Sequence, residues 1–233
     1  MFDALIFSTV NALEFLEVRR NAIRIPEVIQ RVREAQAIWD GVSGRSLDLA
    51  NFIGSDDQGF LGNLRLKNLA TAVVQAGLLD RFLKHHELPR YLIGLSNGDA
   101  PVKVAARQQT FDEMVRESHA LGKVQTPTLT LHAGGLPILA GISLAEFSLM
   151  HKAEHGFEAL MEDEMDFRKV LKSLIDHKDV KRLLVIGPGH SNVESQLKQI
   201  GANHIEVVDA VSLDPLLSWF WSEREDLRQA AVQ

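Results

Sequence analysis

A buried strand that runs straight into a forced tight turn leaves a chain few architectures, and residues 91–98 have that character. The apolar run Tyr91-Leu92-Ile93 leads without a break into Gly94-Leu95-Ser96-Asn97-Gly98. Glycines flanking a serine at this spacing match the G-x-S-x-G elbow, in which a serine sits on a sharp turn at the end of a strand, with a helix behind it. Ser96 is the one position where this chain could present an activated serine nucleophile. Further short apolar runs, Ala4-Leu5-Ile6-Phe7, Arg182 to Ile186 and Ile205 to Val208, predict more strands. Between them the apolar period becomes helical. Pro26 opens a helix to about Trp39, a short helix is expected at Leu47 to Ile53, and a long one at Leu66 to His86, ended by Pro89. Asp99 is placed to cap a helix opening near Pro101 and running to about Leu121.

Beyond residue 121 the pattern predicts a strand at Val124 to His132 broken by Pro127, a loop at Gly134-Gly135-Leu136-Pro137, and helices at about 143–155 and 164–177. The acidic run Glu162-Asp163-Glu164 between those helices reads as a solvated helix start. Ser191 and Glu194 have capping-box spacing after Gly187-Pro188-Gly189. Helices close the chain around Trp219-Phe220-Trp221, which pack a closing helix or, if exposed, anchor a protein interface. Strand and helix in alternation give the expected fold class: α/β, a short parallel sheet flanked by helices. No internal repeat or linker divides residues 1–233, so one domain is expected.

Composition removes several function classes. With no cysteine, the 233-residue chain has no disulfide, thiolate metal site or cysteine catalysis, which fits a cytoplasmic address. Net charge is −6, and no Lys/Arg run exceeds Arg19-Arg20, so no nucleic-acid partner is expected. No apolar run is long enough for a membrane span, and Met1-Phe2-Asp3-Ala4 has no basic n-region of a signal peptide. Neither nucleotide-binding glycine motif is present, and no cofactor is implied.

Three stretches in order carry a resemblance. The run from Lys67 to His86, Pro89, a strand and Gly94-x-Ser96-x-Gly98, then Thr126-Pro127-Thr128-Leu129-Thr130, then Val185-Ile186-Gly187-Pro188-Gly189 together resemble the malonyl-CoA:acyl-carrier-protein transacylases and the related polyketide acyltransferase domains. The resemblance implies the family's large α/β-hydrolase-like subdomain. It also implies a two-step transfer in which a serine takes malonyl from coenzyme A and passes it to the phosphopantetheine thiol of a carrier protein, with a histidine base. On this chain the implied residues are Ser96 as nucleophile, the backbone N–H of Asn97 as oxyanion donor, Arg107 (or Arg116) for the substrate carboxylate, and the turn glycines Gly187 and Gly189. An acyl carrier protein, or another enzyme of fatty-acid or polyketide synthesis, is the implied partner, with acyl-CoA as substrate if the site is active.

The chain departs from the family pattern at several points. The glycine- and glutamine-rich loop after the first strand is replaced by Phe7-Ser8-Thr9-Val10-Asn11. Unless Asn11 substitutes, a side-chain oxyanion donor worth about 3 to 4 kcal/mol is gone. Lys67-Asn68 stands where the family has Gln-Pro, Leu95 replaces the histidine before the serine, and Pro101 follows the serine by only five residues, which predicts a shortened helix after the elbow. Glu113 to Gln125 leave no room for the family's ferredoxin-like small subdomain, whose return carries the catalytic histidine. His119, His132 and His190 are the remaining candidate bases.

These losses predict a degenerate, non-transferring member that binds a carrier protein or acts as a scaffold. The alternative is a working serine acyltransferase or thioesterase with a relocated base. A third constellation, His151-Lys152-Ala153-Glu154-His155, matches H-x-x-E-H and would hold zinc on a helix, with Glu223 or Glu225 as third ligand. A subdomain's removal would bare apolar surface, for which a homodimer is one outlet. His85-His86, at a helix end, read as dipole-favoured surface residues.

Overall fold

The computed structural model describes residues 1–8, 13, 16–94, 99–121, 148–154, 156–160, 167–187 and 191–213. The elements run β1 (Ala4–Phe7), α1 (Leu16–Ala22), α2 (Pro26–Ser43), α3 (Leu49–Gly54), α4 (Asp57–Leu61), α5 (Leu64–Phe82), β2 (Tyr91–Gly94), α6 (Asp99–Ala105) and α7 (Phe111–Leu121). They continue with β3 (Ser148–Ala153), β4 (Gly156–Leu160), α8 (Phe167–Lys178), β5 (Arg182–Ile186), α9 (Ser191–Gln199), β6 (Glu206–Asp209) and a 3-10 turn (Ala210–Leu213). One sheet has the order β4-β3-β2-β1-β5-β6. The four strands β2, β1, β5 and β6 are parallel, as expected; β3 and β4 pair antiparallel.

Helices cover both faces, so the strands are apolar in both directions. Leu5, Phe7, Leu92, Leu184 and Ile186 point into one core with α2, α5, α6 and α7. Ala4, Ile6, Tyr91, Ile93, Leu183 and Val185 point into the other with α8 and α9. This two-residue alternation between two apolar layers is why the strands read as continuous hydrophobic runs.

Helix α5 is buried from Leu69 to Leu79. It runs antiparallel to α2, with Gly77 against Val28 at one end and the Arg65 guanidinium over the Trp39 ring at the other. A Cβ at Gly77 would lie 2.5 Å from Val28 Cα, so only glycine allows this approach. Pro26 sits in the first turn of α2, and Gly44 closes it in the left-handed conformation at φ 66°.

Two expectations are corrected. The helix expected at about 143–155 is replaced by strands β3 and β4. Cross-strand pairing decides it, with Ile93 opposite Leu149 and Tyr91 opposite His151. Leu149 and Met150 are adjacent yet both buried, in opposite cores, a placement a sheet allows. The single helix expected from near Pro101 to Leu121 is two, α6 and α7. Between them Arg107 adopts φ 60°, and a capping box opens α7: Thr110 N donates to Glu113 Oε2 (2.8 Å) and Glu113 N to Thr110 Oγ1 (3.2 Å). The segments expected at 124–132, 134–137 and 162–164, and the closing helices with Trp219 to Trp221, lie outside the described residues.

Candidate functional site

The parallel strands end side by side. Phe7 of β1 is opposite Gly94 of β2 and Ile186 of β5, and β1 leads to strands on both its flanks. In an open α/β sheet this reversal of winding leaves a crevice at the carboxyl ends, where ligands bind. The G-x-S-x-G segment follows from this edge. β2 stops at Gly94 and α6 starts at Asp99, three residues beyond Ser96, so a strand and a helix flank the G-x-S-x-G segment as that motif requires. Pro101 shortens α6 to seven residues but does not delay its start, because a first-turn proline lacks only an N–H that has no partner in the helix. Ser96 and Asn97 themselves lie outside the described residues.

The strand ends are tied by side chains that the sequence reading missed. Ser8 N donates to Ile186 O at 3.0 Å, and Ser8 Oγ donates to the same carbonyl at 3.2 Å. From α5, the fully buried Gln75 donates through Nε2 to Ser8 O at 2.8 Å and to Ile186 O at 3.3 Å. Buried Gly187 follows directly on β5. Asp209, buried at the end of β6, accepts from Val211 N at 2.9 Å and shapes the chain's exit from the sheet. The available signal was on α5, where Lys67, Thr71 and Gln75 recur every four residues as the polar members of its buried face.

The candidate bases and anion ligands fare differently. His119, in the last turn of α7, packs its ring edge-on against Trp39 at 4.9 Å, and its backbone carbonyl accepts from Arg65. It belongs to the layer formed by α2, α5 and α7. Arg107 is exposed on the turn that ends α6. Arg116 is exposed and paired along its own helix with Asp112; their hydrogen bond and opposite charges hold the carboxyl below and the guanidinium above their ordinary values. Gly189, His132 and His190 lie outside the described residues, as does Asn11. His151 lies on β3, opposite Tyr91, and accepts a hydrogen bond from Arg90 Nε at 3.1 Å. The helical i, i+4 spacing needed for zinc is therefore not formed there, a correction to the third constellation. Among the described residues no group of three or more His, Asp or Glu side chains could hold a metal ion. Among them, too, no helix is long and apolar enough to cross a membrane.

Three solved structures with this arrangement of sheet and helices are malonyl transacylases. The fold is that of the malonyl-CoA:acyl-carrier-protein transacylases. The Clostridium perfringens transacylase superposes with a TM-score of 0.62 at 13% identity, covering 100% of both chains. A malonyl-transacylase in complex with its holo type II polyketide-synthase acyl-carrier protein (PlMCAT with AntF) gives 0.63 at 13% identity, over 90% of this chain and 96% of that one. The Synechocystis sp. PCC 6803 transacylase gives 0.61 at 10% identity, over 90% and 97%. No protein-family model matches the sequence, and no curated protein matches it. At these identities it is the acyltransferase-like fold that the chain shares with the transacylases.

Proposed function

We propose that this protein binds an acyl carrier protein through its transacylase-like fold and does not transfer acyl groups. The observation that carries the reading is the placement of His119. Its imidazole is packed against Trp39 in the helical layer, so the base candidate nearest in sequence to Ser96 has a structural task. A serine without a base is a weak nucleophile at neutral pH. The exposed turn position of Arg107, and Leu95 in place of the family's histidine, support the same reading. The chain is read as one domain without an inserted small subdomain, working in the cytoplasm, alone or as a homodimer. Carrier-protein binding is supported by the neighbour found in complex with its own acyl-carrier protein.

One observation favours a second reading. A strand ends at Gly94 and a helix starts at Asp99, on either side of Ser96, which suits an active serine acyltransferase or thioesterase with His132 or His190 as base. Intact-mass analysis after incubation with malonyl-CoA and acetyl-CoA separates the two. No covalent adduct is expected. One malonyl or acetyl unit, present in wild type and missing in Ser96→Ala, would overturn the proposal and establish the second reading.

A further inference from the structure

We draw no further inference here: the strongest candidate, the outer edge of β4 with the shallow hollow between Glu154, Phe157 and Glu158 at the β3–β4 hairpin, carries none, because Gln108 Nε2 already donates to the Phe157 carbonyl of that strand (3.3 Å), an acidic hollow is not by itself a binding site, and nothing in the structure shows what covers it.

Discussion

Replacing Gly77 by alanine places a methyl group against backbone, where no rotamer change can relieve it. The added Cβ would meet Val28 Cα at 2.5 Å and Val28 N and Cγ2 at 2.9 Å. Carbon atoms rest about 3.5 to 4.0 Å apart, so α2 and α5 must separate by about 1 Å, a gap that forfeits a quarter to a half of each dispersion contact. Overpacking of this kind costs about 1 to 3 kcal/mol, and contact with main chain places Gly77→Ala at the upper end. Alanine returns about 1 kcal/mol of helix propensity, which leaves a net loss of about 2 kcal/mol. For a chain of this size that lowers Tm by about 4 to 8 °C.

Gly41, in the last turn of α2, is the internal control, because a Cβ there meets nothing within 4 Å. Gly41→Ala is expected to stabilise by about 0.5 to 1 kcal/mol from propensity alone. Urea denaturation followed by far-ultraviolet circular dichroism measures both variants against wild type. The reasoning is refuted if Gly77→Ala matches or exceeds wild-type stability while Gly41→Ala gives its gain. The site depends on this contact as well, since Gln75 is two residues from Gly77 and is held at the strand ends by the same helix.

Arg19, fully buried, donates to Ile53 O (3.0 Å), Leu13 O (2.9 Å), Ser55 O (3.1 Å) and Asp57 Oδ1 (2.8 Å), with its guanidinium over the Phe60 ring. Arg19→Met strands the three carbonyls and is expected to cost about 3 to 5 kcal/mol in urea denaturation, whereas Asp57→Asn, at an exposed carboxylate, costs under about 1 kcal/mol. Equal losses would refute this account. Burial pushes the Glu27 carboxyl up, but hydrogen bonds from Lys84, from its own backbone N–H and from Arg81, with the Arg81 charge, outweigh it and hold the group below its ordinary 4.5. A depressed folded value means that stability is present in full above pH 4.5 and is lost as pH falls through the folded value. The stability gap between wild type and Glu27→Gln should therefore be constant near neutrality and shrink below pH 4.5; a gap that widens on acidification would contradict the assignment.

Much of the architecture was legible because its signals are local. Pro26 and Gly44 bracket α2, the apolar runs at 4–7 and 182–186 each lie between two apolar layers, and a strand and a helix stand on either side of the G-x-S-x-G segment. The capping box at Thr110 and Glu113 was equally local, and it marks the break that the single-helix reading of residues 101–121 overlooked. Residues 148–153 misled because their apolar spacing suits a helix as well as a strand. Their pairing partners lie more than fifty residues earlier, at Tyr91 to Gly94, and no local pattern announces them. For the same reason nothing local announces that the ring of Trp39, eighty residues away in the chain, packs against His119.

The sequence by itself determined the parallel α/β core and the strand and helix that flank the G-x-S-x-G segment, because periodicity, proline and glycine act within a few residues of where they stand. Only the tertiary structure decided that β3 is a strand, that His119 is packed against Trp39 and that Gln75 reaches Ser8 and Ile186. Each depends on groups brought together from distant parts of the chain, and hydrogen bonding and close packing are properties of that meeting.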